Sequence, residues 1–363
     1  MGHERAVGRV LSGETWGEFC DALKAAGAVV LREASPRDPL DRAEGFRYLT
    51  RLLRTALEQQ LEFADPLTPA FRRPSHETVK IGADNPDNHY QSASISGSNE
   101  YRIRGVRNSV HYLGIGTYAG GYGSPGRSGQ TGYIDDAMLS LGPDGRFEIA
   151  VSRERRPGNW LPMEPDTSTL IVRQTYQSRA RERIADLTIE RVGAAGPPAD
   201  LTPETLDHAL AAAAAYVRGT ATIFTDWAEG FAQRKNELPR FDAKVAAAAH
   251  GDPNIVYYHG YWELAEREQL WIEVTPPACD YWNFQVNNHW MESLDYRFHR
   301  IALNHSEAKL ETDGSLRLVL AHRDPGHPNW LETAGHRRGT MCLRWIGAQQ
   351  HPDPRTRVVE ASA

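Results

Sequence analysis

The segment from Asp280 to Arg297 carries the densest group of ionisable and hydrogen-bonding side chains in the chain. Two of its carboxylic acids, Glu292 and Asp295, are candidates for general acid/base catalysis, in which a positioned group gives or takes a proton. Trp290 stands two residues before Glu292, and apolar surroundings raise the pKa of a carboxyl group toward neutrality. The segment therefore predicts a catalytic carboxylate at Glu292, with Asp295 close by.

A second candidate pair, His322 and Asp324, stands at the end of a predicted strand. Residues two apart share one face of a strand, so His322 could take a proton while Asp324 orients its ring. The same pair could instead bind a divalent metal together with His336 and Glu292. A solvated loop rich in histidine is the remaining alternative. We predict no cofactor and keep the divalent metal as an alternative that metal analysis would test.

A row of amides follows one face of the strand that begins near Tyr281. Asparagine is depleted in strands, and amides beside a tyrosine suit a polar ligand whose hydroxyl groups both donate and accept hydrogen bonds. The alternative is a buried hydrogen-bond network that stabilises the sheet. The side chains predicted to contact a ligand are Tyr281, Gln285, Asn287, Asn288, Trp290 and Arg297, with Asp87 from an earlier segment.

Asp87 belongs to a turn, Asn85-Pro86-Asp87, that follows Asp84. Two carboxylates this close in sequence could bind a cation or act as an acid/base pair. The alternative is a purely structural role, in which an Asn or Asp side chain bonds the nearby backbone in a turn before a strand. The pattern favours this alternative.

An internal repeat indicates how these side chains are positioned. One copy runs from Asp144 to Arg173 and the other from Asp313 to Arg344. In each copy an Asp-Gly turn leads into an alternating strand, an Asn-Trp-Leu turn follows, and the next strand carries an arginine. The repeat predicts a duplicated β module. Because a duplicated fold keeps its scaffold in both copies, we expect Trp160 and Trp330 to be structural and chemistry to use residues present in one copy only.

Helical periodicity appears in two other places. Apolar residues recur at helical spacing between about residues 15 and 61, and again after Thr202-Pro203-Glu204, a sequence typical of a helix start. Glycine-rich residues 119–132 read as a loop. The predicted organisation is a helical N-terminal region (1–70), a first β module (71–200), a helical connector (201–250), a second β module (251–347) and a mobile tail (348–363).

Composition excludes several classes of partner. The net charge of −6 over 363 residues gives no basic excess for displacing counterions from a nucleic acid, so nucleic-acid binding is not expected. No apolar run approaches the roughly 18 residues that span a bilayer, and no secretory signal begins the chain. Cys20, Cys279 and Cys342 are few and far apart, which favours a reducing compartment. We expect a cytoplasmic protein without a membrane partner; no oligomeric state is predicted.

The motifs resemble the domain of unknown function 1214 family and its 1254 sister family. The resemblance covers roughly residues 82–345, and the proline that the family pattern places after Asn-Trp-Leu stands at Pro162 but is replaced by Glu332 in the second copy. It implies a mainly β fold of two tandem jelly-roll-like β-sandwich modules with helical additions; it implies no reaction. The segments that carry it are Asn85-Pro86-Asp87-Asn88-His89-Tyr90, Asp280-Tyr281-Trp282-Asn283-Phe284, Asp313-Gly314 and Asn329-Trp330-Leu331.

Together these patterns predict an enzyme that acts on a small polar or partly polar organic substrate by acid/base chemistry, as a hydrolase or lyase. Its catalytic residues would be Glu292, Asp295, His322 and Asp324 in the second β module. The alternatives are a binding protein for a carbohydrate or metabolite without catalysis, and the metal-dependent enzyme described above. The enzyme requires Glu292 and His322 to line one cavity; otherwise the binding protein is favoured.

Overall fold

The computed structural model describes residues 2–122, 126–193 and 196–360. Helices form in the N-terminal region and between the two β regions, where the apolar periodicity predicted them. They are α1 (His3–Ser12), α2 (Glu14–Ala26), α3 (Pro39–Leu57), α4 (Pro203–Phe231) and α5 (Ala243–Ala248), with short 3-10 turns at Gly27–Leu31 and Ala232–Arg234 and a π-helical turn at Glu58–Glu62.

Local sequence sets where the two longest helices begin. The Asp38 side chain accepts a hydrogen bond from the backbone N–H of Asp41 at 3.0 Å, just before α3. Thr202 and Thr205 bond each other's backbone N–H groups in a capping box, with Pro203 at the first position of α4. Such caps satisfy N–H groups that have no partner inside the helix.

The first β region contains two four-stranded sheets. One has the strand order β1-β7-β3-β4 and the other has the order β6-β5-β2-β8. Neighbouring strands run antiparallel except for the parallel pair β5 and β6. The strands are β1 (Asn88–Ser94), β2 (Tyr101–Val106), β3 (Tyr112–Ala119), β4 (Gly129–Asp135), β5 (Arg146–Ser152), β6 (Asn159–Pro162), β7 (Thr167–Thr175) and β8 (Asp186–Arg191).

The second β region repeats this topology strand for strand. Its sheets have the orders β12-β11-β15-β9 and β14-β13-β10-β16, which match β4-β3-β7-β1 and β6-β5-β2-β8 in turn. The pair β13 and β14 is again parallel. The duplication predicted from the sequence is thus present. The strands are β9 (Ile255–Glu263), β10 (Glu268–Val274), β11 (Tyr281–Val286), β12 (Ala302–Asn304), β13 (Leu316–Ala321), β14 (Trp330–Glu332), β15 (Arg338–Ile346) and β16 (Arg355–Glu360).

Each pair of sheets encloses its own apolar core. In the first sandwich, Ile103, Ile149 and Leu170 are fully buried in one cluster drawn from both sheets. In the second, Leu270, Phe284 and Leu343 belong to the corresponding cluster. A third core joins α2, α3 and α4, and includes Trp290 from the second sandwich. The helices are therefore packed onto the β structure rather than forming a separate body.

The Asn-Trp-Leu turns are structural corners, and the asparagine makes most of the bonds. Asn329 is fully buried; its side chain accepts from the N–H of Lys309 and donates to the carbonyls of Lys309 and Arg317. Asn159 makes the same set of bonds to Ser140 and to a strand carbonyl of β5. Trp160 and Trp330 lie on the equivalent strands β6 and β14 and are half-buried.

Two loop predictions differ from the structure. The predicted mobile tail contains β16, which pairs antiparallel with β10 over Arg355–Glu360; residues 361–363 lie outside the described part of the chain. The tail itself forms this strand at the edge of the sheet, and the apolar pattern of the sequence does not reveal it. The predicted glycine-rich loop is shorter than expected, since β3 extends through Ala119 and β4 begins at Gly129, and its residues 123–125 are likewise not described.

Candidate functional site

Glu292 lies in a buried polar network between α3 and the second sandwich. Its carboxylate accepts from the Arg51 guanidinium at 2.6 Å and from the Asn288 amide at 2.9 Å. Burial raises the pKa of Glu292, against the opposing effect of Arg51. Asn288 also donates to Glu44 of α3 at 2.8 Å, and the indole of Trp290 donates to the Asp41 carbonyl at 2.8 Å. The predicted catalytic carboxylate therefore attaches the N-terminal helices to the β structure.

His336 extends the same network. Its ring nitrogens lie 2.8 Å from an oxygen of Asp41 and 3.2 Å from an oxygen of Glu44, on adjacent turns of α3. Burial alone would lower the pKa of His336, but the hydrogen bonds that its ring donates to these two carboxylates outweigh burial and raise that pKa to about 9. The histidine is therefore a charged link between α3 and the second sandwich.

His322 and Asp324 lie elsewhere. His322 bonds Thr333 Oγ1 at 2.8 Å and the Leu264 carbonyl at 3.2 Å; Asp324 accepts from the Gly326 N–H in its own turn. Both line an open groove on the sheet that contains β10, β13 and β16, and that groove does not include Glu292. The structure does not bring the predicted acid/base residues to one cavity, because Glu292 is enclosed beneath α3.

Asp295 and Arg297 form an ion pair with each other at 2.6 Å at the surface. The hydrogen bond from Arg297 lowers the pKa of Asp295 to about 2. An acid that is ionised throughout the neutral range is a poor proton donor. Asp295 is therefore held as a carboxylate by Arg297 at the surface.

The row of amides is an interface between the two sandwiches. Asn283 donates to Asn85 Oδ1 at 2.9 Å, and Gln285 donates to the Asp84 carbonyl at 2.9 Å. Asn287 donates to Thr340 Oγ1 at 3.2 Å. All three amides are completely buried. The alternative of a buried network is the one that the structure shows, because Asn283 and Gln285 meet the turn that precedes β1 and Asn287 bonds to β15 within its own sandwich.

This interface is reciprocal. Tyr281 of β11 donates to Asp87 at 2.6 Å, and its counterpart Tyr112 of β3 lies 3.2 Å from both oxygens of Asp252. Asp252 belongs to the turn Asp252-Pro253-Asn254, which precedes β9 as Asn85-Pro86-Asp87 precedes β1. Burial raises the pKa of both Asp87 and Asp252. Each sandwich thus inserts its leading turn against a tyrosine of the other, as expected of a pseudo-two-fold arrangement.

Among the described residues, no three His, Cys, Asp or Glu side chains are grouped in a way that would hold a metal ion. His322, His336 and Glu292, which the metal alternative combined, have the separate partners given above. In the same part of the chain, no helix has the length and apolar character needed to cross a membrane.

A cavity of about 190 Å³ lies where the two sandwiches and α4 meet. The first sandwich contributes β1 and β7, the second contributes β9 and β15, and α4 covers them. For scale, a protein cavity of about 150 Å³ holds benzene. Lining residues include Arg72, Asp84, Asn88, Tyr90, Tyr122, Arg173, Tyr216, Phe224, Trp227, Phe241, His250, Tyr257, His259 and Arg344.

Two of the lining arginines are equivalent by the duplication. Arg173 of β7 pairs across the sheet with Tyr90 of β1, and Arg344 of β15 pairs with Tyr257 of β9. Arg173 donates to the His250 carbonyl of the opposite half. Arg344 donates in the same way to the Ala83 carbonyl.

The two carbonyl acceptors share an unusual backbone. His250 and Ala83 have positive φ angles of 61° and 58°, although neither is a glycine. Each stands two residues before its Asp-Pro or Asn-Pro turn. A non-glycine residue with positive φ is uncommon and needs surrounding support. The opposing arginines supply that support.

Among the described residues neither arginine forms an ion pair, but the buried carboxylates of Asp252 and Asp84 act electrostatically on Arg173 and Arg344 respectively. Arg173 otherwise donates to Tyr118 Oη at 2.8 Å, and Arg344 to the Gln285 amide oxygen at 2.6 Å. A third arginine on the cavity wall, Arg72, donates to the neutral oxygens of Thr55 and Gln59. Within the described chain, no Asp or Glu oxygen lies within 4.0 Å of these three guanidinium groups.

The histidines on the cavity wall are neutral. Burial lowers the pKa of His250 to about 4 and that of His259 to about 3. His259 stacks on Phe231 with a centroid distance of 5.5 Å, and no partner is found for its buried Nδ1 among the described residues. The wall therefore combines three cations with the Asp84 carboxylate, neutral imidazoles and aromatic rings.

The sequence reasoning missed this cavity. The arginine that ends each repeat was visible, but features present in both copies were assigned to the scaffold. The signal that could have found it is a charged residue inside a strand of otherwise apolar residues, as in Thr340-Met341-Cys342-Leu343-Arg344-Trp345. A buried charge is expensive without a partner, so an arginine at such a position in both copies indicates a shared polar site.

The fold and site define a duplicated two-sandwich protein with an arginine-lined cavity between its halves. Over residues 88–180 and 265–350 it matches the family described as "Protein of unknown function (DUF1214)". The chain belongs to this family.

A solved structure of an uncharacterised protein from Burkholderia cenocepacia is 51% identical, with a TM-score of 0.96, over 97% of this chain and 98% of that chain. A protein from Vibrio parahaemolyticus is 11% identical, with a TM-score of 0.51, over 87% of this chain and 98% of that chain, and shares the fold alone. A comparison with curated proteins finds no match.

Proposed function

We propose that this protein binds a small organic anion in the cavity between its two sandwiches. The observation that carries the proposal is the pair of equivalent arginines, Arg173 and Arg344, which line one cavity and, among the described residues, have no carboxylate oxygen within 4.0 Å. An arginine stays charged in proteins, and a buried charge is stabilised by an opposite charge or by a ligand that supplies one. A carboxylate suits the planar guanidinium group, which presents paired donors.

Binding is favoured over acid/base catalysis. The carboxylate predicted as catalyst, Glu292, is bonded to Arg51 and Asn288 away from the cavity. His250 and His259 are on the cavity wall, but their lowered pKa values make them neutral imidazoles, which are poor general acids at neutral pH. Of the functions predicted from the sequence, the metabolite-binding protein is the one that this geometry supports.

The proposal is tested with monocarboxylates of roughly six to twelve non-hydrogen atoms, a size suggested by the cavity volume. Each acid is compared with its neutral primary amide by isothermal titration calorimetry. Acids should bind at least about tenfold more tightly than amides, because hydrogen bonds to a charged group are stronger than neutral ones.

Arg173→Gln and Arg344→Gln should each weaken acid binding by about tenfold or more. The matched control is Arg104→Gln, which removes an arginine from β2, on the sheet that faces away from the cavity, and should leave binding unchanged. Circular dichroism and melting temperatures establish whether the variants are folded. If the glutamine variants do not fold, Arg173→Lys and Arg344→Lys replace them, because lysine keeps the positive charge but lacks the paired donors of the guanidinium group. Equal affinity for acids and amides, or acid binding that survives both losses, would contradict the proposal.

A further inference from the structure

The cavity has a second chemical character besides its positive charge. Four aromatic rings lie on its wall: Phe224 and Trp227 from α4, Phe241 from the segment after α4, and Tyr122 from the segment after β3. Trp227 lies 4.8 Å from Phe241 and 5.4 Å from Phe224 between ring centroids. Phe224 lies 5.2 Å from Tyr122. These contacts join the rings into one continuous aromatic surface.

Further contacts hold the rings of this surface in position. The Phe224 and Trp227 rings are nearly perpendicular, at 88°, and the Phe224 and Tyr122 rings meet at 70°, which are favourable edge-to-face geometries. The Tyr122 hydroxyl donates to the Ala249 carbonyl at 2.9 Å. Gly82 allows α4 to approach, since a Cβ there would lie 2.5 Å from the Phe224 ring. A ligand therefore meets fixed ring faces and edges rather than side chains that rearrange.

Aromatic rings in such an arrangement attract other aromatic rings beyond the effect of the apolar area buried, because ring faces are negative and ring edges positive. A saturated ring or chain of equal size gains only the free energy of burying its apolar area. The sheets supply arginines for an anionic group, and α4 with its neighbouring segments supplies rings for an aromatic one. The cavity volume of about 190 Å³ suits a single ring with a short acidic substituent.

We propose that the ligand is a small aromatic carboxylate, with its acid group on Arg173 and Arg344 and its ring against Trp227, Phe241 and Phe224. This inference rests on the proposed anion-binding function and names its ligand class. Benzoate is the simplest member of that class and serves as the probe.

The test compares benzoate with cyclohexanecarboxylate and benzamide by calorimetry on the full chain. Cyclohexanecarboxylate has the same charge and number of non-hydrogen atoms without aromaticity, and benzamide keeps the ring without the charge. We expect benzoate to bind roughly tenfold more tightly than cyclohexanecarboxylate. Benzoate should also change the tryptophan fluorescence, because Trp227 lies on the cavity wall.

Trp227→Leu and Phe241→Leu should each reduce the benzoate preference by roughly threefold while leaving cyclohexanecarboxylate binding nearly unchanged. The matched control is Trp271→Leu, which removes a tryptophan that stacks with Arg317 and Arg357 on the opposite sheet of the second sandwich. It should leave the preference intact.

The outcomes separate the two proposals. Equal affinity for benzoate and cyclohexanecarboxylate, with benzamide weak, would overturn the aromatic ligand and leave the anion-binding function standing. Benzamide as tight as benzoate, or no binding of either acid, would overturn both. A benzoate preference that persists in both Trp227→Leu and Phe241→Leu would show that the ring lies elsewhere.

Discussion

Single residues connect the two halves of this protein through charge. Arg173 and Arg344 each donate to a carbonyl of the opposite half, and His336 joins the helical region to the second sandwich through Asp41 and Glu44. Each of these side chains is a cation far in sequence from its acceptors. Their importance follows from position in the folded chain, and composition or local pattern does not reveal it.

His336 gives a prediction for pH dependence. Its folded pKa of about 9 is raised above the unfolded value of about 6.5. The stabilisation is therefore fully present below about pH 6.5 and is lost as the pH rises through about 9. We expect His336→Gln to lower the free energy of unfolding by about 2–3 kcal/mol at pH 7. The difference from wild type should become much smaller at pH 10.

Urea denaturation of both proteins at the two pH values measures this difference. His299→Gln is the control, because His299 is 41% exposed in its ion pair with Glu332 and surface pairs contribute little, about 0–1 kcal/mol. A wild-type advantage over His336→Gln that is the same at pH 7 and pH 10 would show that the ring is not a charged link.

At the scale of strands and turns, the sequence was informative. Alternation and Asp-Gly turns predicted strands because they encode which face is buried and where the chain reverses. The same order of turns and strands in the two copies predicted the duplication. In the structure, β6 and β14 carry Trp160 and Trp330 at matching positions. The amides of β11 stood out because asparagine is depleted in strands, but they were predicted to bind a ligand, whereas in the structure they bond to the protein itself. Their partners lie about 200 residues earlier in the chain, and no local pattern identifies them.

The Asn-Trp-Leu turn gives a prediction about which of its residues stabilises the sheet. Asn329→Asp keeps the acceptor for the Lys309 N–H but loses both donated bonds and places a negative charge beside two carbonyls. Unsatisfied buried groups cost about 1–3 kcal/mol each, so the variant should lose about 2–5 kcal/mol of unfolding free energy.

Asn159→Asp provides the matched comparison in the first sandwich, where the same bonds are more exposed to solvent. It should lose less stability than Asn329→Asp, as measured by denaturant titration. If both substitutions leave the unfolding free energy unchanged, or if Asn159→Asp loses more than Asn329→Asp, then the half-buried tryptophans stabilise the corner instead.

For the whole molecule, the pseudo-two-fold relation between the sandwiches determines where a site can form. Tyr112 with Asp252 and Tyr281 with Asp87 repeat one contact on each side. Arg173 and Arg344 then line the same cavity because they occupy equivalent positions in facing sheets. Duplication can therefore supply two equivalent side chains to a single site. This is why a search confined to residues unique to one copy led to Glu292 and His322 and passed over the cavity.

The reciprocal interface predicts that the two sandwiches unfold together. If one half unfolds, the other loses the acceptors of its buried arginine and tyrosine, and leaving one partner of a buried bond unsatisfied is strongly unfavourable. Leu170→Ala in the first core and Met341→Ala at the equivalent position of the second should each destabilise by about 2–5 kcal/mol. By calorimetry, each variant should lower the temperature of one shared transition, and benzoate at saturating concentration should raise that same transition in the wild type. Two resolved transitions, one moved only by Leu170→Ala and the other only by Met341→Ala, would mean that the halves are independent and that the cavity between them lacks the rigidity that anion binding requires.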